Sequence, residues 1–158
     1  MFIFTNALRY FIFTEEAYAA YFWPRVNWVF PHVVCVIIAL LAGPFQFSNR
    51  LRAKYLKWHK RSRYLYLIAI LFGAIAGIGL SLTSQVNLTY KFGLFFLAIA
   101  WLLNSGMALI CILKRKIEQH REWMIRSYVV TFAFVFFRLF ADIFTTMKLL
   151  KEQTSMAL

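Results

Sequence analysis

Apolar residues in this chain gather into long unbroken runs, not into the alternation of a strand or the one-sided stripe of a soluble helix. A helix needs about 20 mostly apolar residues to cross the hydrocarbon of a bilayer. Four segments reach that length, roughly residues 28–48, 64–84, 92–113 and 123–147. The last is long enough to tilt or to project beyond the bilayer. Short polar loops join them, so neighbouring helices must run antiparallel. The pattern predicts an all-α fold: an integral membrane four-helix bundle over residues 28–147.

Two stretches lie outside the bundle. The opening run, Met1–Phe13, is too short to span and carries Arg9, which predicts an interfacial helix with Glu15 and Glu16 at its wet end. Tyr21, Phe22, Trp23 and Trp28 follow as an aromatic anchor before the first span. Residues 1–27 are therefore expected to lie at the interface, and residues 148–158 to form a tail. No basic leader and no small-residue cleavage pattern opens the chain, so no removable signal peptide is expected.

Composition agrees with this picture. With 62% hydrophobic and 15% charged residues, the chain has too little polar surface for a soluble domain. The net charge of +12 does not point to nucleic acid, because the basic residues sit in short blocks between the apolar runs. Arg50, Arg52, Lys54, Lys57, Lys60, Arg61 and Arg63 fill the first loop, and Lys114, Arg115, Lys116, Arg121 and Arg126 the third. The middle turn and the two ends carry only Arg9, Arg25, Lys91, Lys148 and Lys151. Basic loops stay in the cytoplasm, so both termini are expected outside it. Cys35 and Cys111 lie within apolar runs and are expected to be small buried hydrophobes.

Inside the spans, polar and small residues recur at helical spacing. His120, Ser127, Thr131, Arg138 and Asp142 share one face of the fourth span, and Arg138 and Asp142 can pair four residues apart. The first span carries His32, Cys35, Ala39, Gly43 and Gln46; the third carries Gly93, Ala100, Asn104 and Cys111. Gly73, Gly77 and Ser81 give the second span a small-residue face for close helix approach. Ionisable side chains in hydrocarbon cost about 2.5–3.5 kcal/mol each on insertion scales, so these faces are expected to point inward.

Depth divides the candidates. His32 lies about 27 Å along the first helix from Arg50, level with Arg138 and Asp142 at the outer surface. His59 and His120 open the second and fourth spans at the basic end, beside Gln46, Tyr64, Trp123 and Arg126. A three-histidine metal centre is thereby excluded, and no metal site and no catalytic residue is assigned. The basic-end group suits a single haem b held by His59 and His120, or a quinone whose carbonyl oxygens take imidazole and guanidinium donors while Tyr64 or Trp123 stacks on its ring. A plainer reading also stands: interfacial histidines hydrated by the loops. His32, Arg138, Asp142 and Asn104 form the remaining polar intramembrane set.

Particular strings add a resemblance. Gly43-Pro44-Phe45-Gln46-Phe47 closes the first span, and His120-Arg121-Glu122-Trp123-Met124-Ile125-Arg126-Ser127-Tyr128 opens the fourth. With the histidine opening the second span and Arg138, these resemble the bacterial membrane proteins catalogued as domain of unknown function 2306, over roughly Phe30 to Asp142. That family pattern reads H-R-x-x-G-R-x-Y at the second span; His59 and Tyr66 match it here, and Arg63 stands at the glycine. The resemblance implies a bacterial inner-membrane location and carries no activity with it. Its H-R-x-x-G element is similar to elements of b-type cytochromes and ferric-reductase-like membrane domains. Two function classes follow: a protein with a cytoplasm-side quinone or haem site in electron transfer, or a non-catalytic subunit of a larger membrane complex.

Overall fold

The computed structural model describes residues 8–156, and the side chains of 9, 19–20, 137–138, 141–142, 145–146 and 148–156 lie outside that description. Among the described residues the chain is helical throughout, with no strand. A short helix α1 (Glu15–Phe22) leads into α2 (Val26–Phe47), a one-and-a-half-turn α3 (Asn49–Lys54), α4 (Leu56–Thr83), α5 (Leu88–Leu113) and α6 (Ile117–Met156). Trp23–Phe47, Leu56–Thr83 and Leu88–Leu113 are each long and apolar enough to cross a membrane. The expected fourth span, 123–147, falls within α6, which runs 40 residues, about 60 Å at 1.5 Å per residue.

Local chemistry sets the helix ends. Ser48 caps α3 by accepting from Leu51 N at 3.2 Å, and Asn87 caps α5 by accepting from Tyr90 N at 2.9 Å. Glu15 and Glu16 fill the first turn of α1, where their charge meets the helix dipole. Only Leu8–Phe13 of the expected interfacial helix lies within the described residues; Arg9–Phe11 is a 3-10 turn there. Helix α1, which the hydropathy pattern gave no reason to expect, follows it. Tyr10 and Tyr18 bury against Val29, Val33 and Leu80, Tyr21 Oη lies 3.0 Å from Ser84 Oγ, and Arg25 donates to the Tyr21 carbonyl at 2.9 Å. This segment thus folds back over the ends of α2 and α4.

Helix α2 packs on α4, α4 on α5, α5 on α6, and α6 returns more lightly to α2. The core between them is made chiefly of small residues with a few rings: Ala39, Ala42, Ala69, Ala74 and Ala108 with Tyr66, Ile70, Trp101 and Met124. Large apolar side chains such as Phe72, Phe96, Leu103 and Val129 point outward. That inversion suits lipid, which solvates leucine and phenylalanine as well as a protein core does and leaves close backbone packing to hold helices together. Gly73 faces Cys35 and Trp101, and Gly77 faces His32 and Ala98, so the small-residue face of α4 seats two partners at once.

Candidate functional site

The two marked strings meet in space. Gly43 is where α2 admits the ring of Tyr128 from α6; a Cβ there would collide with it. Pro44 has no N–H, so the Leu40 carbonyl lacks its helical donor, and the Tyr128 hydroxyl donates to it instead at 3.2 Å. Phe47 lies against the same ring, centroids 5.4 Å apart. Behind Tyr128, Ser127 lies 3.0 Å from Tyr66 Oη and 2.8 Å from Ser105 Oγ, while Trp101 Nε1 donates to Thr131 Oγ1 at 2.9 Å. Ser127 and Thr131 are fully buried, so this hydroxyl chain ties α4, α5 and α6 together in the dry interior.

At the end of the helices that carries the basic loops, a cavity of about 200 Å³ opens between α2, α3, α4 and α6. Gln46, His59 and His120 line it, together with Arg52, Lys60, Arg63, Arg121, Leu56, Ile112 and Met124. Gln46 Nε2 donates to Ser62 Oγ at 2.6 Å, leaving Oε1 buried without a donor. His59 Nδ1 and Arg63 Nε are likewise buried with no partner at those atoms, while the His59 ring bonds the Phe45 carbonyl. His120 Nδ1 lies 2.8 Å from the Ala108 carbonyl; because that oxygen only accepts, the proton sits on Nδ1 and Nε2 keeps its lone pair. Burial holds the His120 imidazole below its ordinary pKa, with the Arg63 charge pushing the same way against the Ala108 bond.

A second, shallower hollow of about 330 Å³ adjoins the cavity and shares Phe47 and Arg121 with it. Its remaining lining, Ile125, Tyr128 and Val129, is largely apolar. Both hollows expose more apolar than polar surface, and the imidazoles and the Gln46 amide gather in the first.

Three of the residues expected at this site lie elsewhere. Arg126 falls about 240° round α6 from His120, which turns it to the outer surface, 4.0 Å from Glu122 and 4.5 Å from the Trp123 ring centroid. Tyr64 lies about 140° from His59 on α4 and is exposed beneath Arg63. Trp123 packs against the core instead of the cavity. Conversely, Arg63 and Arg52 belong to the lining although their sequence context marks them only as loop charges; the i, i+4 spacing of His59 and Arg63 is the signal for the former.

The remaining polar set sits apart from the cavity. His32 Nδ1 lies 2.8 Å from the Gly73 carbonyl, and its ring meets Phe134 edge-on. Since Gly73 follows His59 by fourteen residues on α4, His32 stands about 21 Å along the axis from the cavity. Asn104 donates to the Ala100 carbonyl of its own helix at 2.6 Å. The side chains of Arg138 and Asp142 lie outside the described residues.

Long apolar helices with large residues outward and small or polar ones inward define a membrane protein of several helices, embedded in a lipid bilayer. Within that class, the chain belongs to the family of predicted membrane proteins described as domain of unknown function 2306, which it matches over residues 29–158. No curated protein and no solved structure matches it.

Proposed function

We propose that this chain is a four-helix bundle of the bacterial inner membrane with both termini outside the cytoplasm, and that its cytoplasm-side cavity receives the head group of a lipid-soluble quinone for electron transfer. The observation that carries the reading is the junction of the two hollows. A chamber whose polar groups are His59, His120 and Gln46 adjoins a hollow along Ile125 and Val129, an arrangement with room for a ring and the start of its chain. His59 Nδ1 and Gln46 Oε1, both acceptors without a partner, match the hydroxyls of the reduced ring. Volume argues against haem b: about 200 Å³ is below the roughly 300–1,000 Å³ of pockets for drug-sized ligands, and a porphyrin is larger than most of those.

Solvent extraction of the protein purified in mild detergent tests this. Quinone retained by the wild type and lost from His59→Ala and Gln46→Ala, in a colourless preparation, is the expected result. A Soret band abolished by His59→Ala and His120→Ala replaces quinone with haem. Absence of both, with a second membrane protein co-purifying in fixed ratio, replaces both with the subunit reading.

A further inference from the structure

The charges around the cavity are not balanced. Arg52, Lys60, Arg63 and Arg121 line it and no carboxylate does. The two acidic residues nearest in sequence, Glu118 and Glu122, are exposed outside the lining, and Glu122 faces Arg126. Arg63 is the most constrained of the four. Its guanidinium carbon lies 4.9 Å from the Tyr64 ring centroid, and its Nε is buried with no acceptor. A half-buried guanidinium with an idle donor, among three further cations, calls for a negative partner that no described carboxylate supplies.

We propose that the cavity is a receptor for a phosphate oxyanion. Guanidinium forks match phosphate oxygens in geometry and charge, and four converging cations exceed what one carboxylate balances. Gln46 Oε1, an acceptor without a partner, takes a hydroxyl carried by the same ligand. Hydrogen phosphate has such a hydroxyl, and so does the glycerol head group of an anionic phospholipid, whose acyl chain would follow the adjoining hollow past Tyr128. The inference needs only the cavity, and because both ligands would use Gln46 in about 200 Å³, phosphate and quinone exclude one another there; extraction measures quinone, whereas the test below measures anion.

The full chain in detergent is titrated with inorganic phosphate against chloride at matched ionic strength, following its thermal midpoint. In parallel it is placed in nanodiscs of phosphatidylcholine with or without phosphatidylglycerol, and the lipid retained is counted by native mass spectrometry. A raised midpoint with phosphate assigns the site to the free ion; retention of phosphatidylglycerol alone assigns it to the lipid. In either case Arg63→Gln and Arg52→Gln weaken binding about tenfold or more, as loss of a charge-assisted hydrogen bond does. Arg126→Gln removes the same charge outside the cavity and leaves binding unchanged. Arg52 is exposed, so its variant keeps the fold if Arg63→Gln does not. No response to phosphate or to phosphatidylglycerol overturns the proposal, as does equal weakening by Arg126→Gln, which would mark the effect as general surface charge.

Discussion

The Tyr128 hydroxyl donates to the Leu40 carbonyl, 88 residues earlier in the chain, because Pro44 has left that carbonyl without its helical partner. Two local rules produce one long-range contact. Proline removes the donor at i+4, and glycine at 43 removes the side chain that would keep the ring away. Tyr128→Phe should therefore strand the Leu40 carbonyl. Hydrogen bonds between membrane helices average about 0.6 kcal/mol and reach about 1.7. A carbonyl whose i+4 donor is missing belongs near the upper end. Pro44→Ala restores a backbone N–H at that carbonyl, so the cost of Tyr128→Phe should shrink in its presence. A double-mutant cycle on thermal or denaturant unfolding checks this; additive effects would show the two positions uncoupled.

Trp101 supplies a second test. Its indole N–H is fully buried and donates to Thr131 Oγ1 at 2.9 Å. Thr131→Val keeps the volume and removes the acceptor, which should destabilise by about 1–2 kcal/mol, between the membrane hydrogen-bond values and the ~1–3 kcal/mol of an unsatisfied buried donor. Trp101→Phe in the Val background removes the orphaned N–H, so the double variant should lose less than the sum of the single ones. Unfolding midpoints of the four proteins decide it.

Much of this was legible in the sequence, for a physical reason. In lipid the costly residues are the polar ones, so their spacing traces the buried face directly. The strip His32, Cys35, Ala39, Gly43 and Gln46 does line the inner side of α2: His32 meets Gly73, Gly43 meets Tyr128, and Gln46 reaches Ser62. The same logic misplaced the strip on α5. Gly93 is exposed with nothing near it and Asn104 satisfies its own helix; of that strip only Cys111 joins the buried face, with Ala98, Trp101, Ser105 and Ala108. A tryptophan reads equally well as core or interfacial anchor, and only its hydroxyl partner on α6 decides between them. Arg126, Tyr64 and Trp123 share the depth of the histidines and have suitable donor or stacking chemistry, but helical phase turns them away from the cavity.

Alongside His59, whose pKa burial also lowers, His120 contributes to the pH dependence. Burial lowers its pKa, so the unfolded chain, whose imidazole titrates at about 6.5, binds the proton more readily than the folded one. Its neutral form costs nothing above that pH. As the pH falls from about 6.5 toward the lowered native value, the unfolded state gains protons first and stability drops. Thermal midpoints should accordingly fall over this interval in the wild type. His120→Asn retains a donor for the Ala108 carbonyl without the titration and should flatten that part of the profile. An unchanged slope would move the effect to another group.

Twelve basic residues in two loops against five in the remaining connections and ends form the argument for orientation. The bias is counted over short loops near the ends of the spans, and the two basic loops meet that condition. With the four crossings proposed above, both ends of the chain would lie on the opposite side. A periplasm-dependent reporter, alkaline phosphatase, fused after Leu158 should be active, and green fluorescent protein at the same position should stay dark. The two fused within the 114–116 turn should behave in the opposite way. Fluorescence at Leu158 with an active phosphatase in the 114–116 turn would invert the map and carry the cavity to the outer surface. Fluorescence at both positions would instead mean that the part of α6 beyond Arg126 does not cross, leaving three spans and a cytoplasmic C-terminal helix.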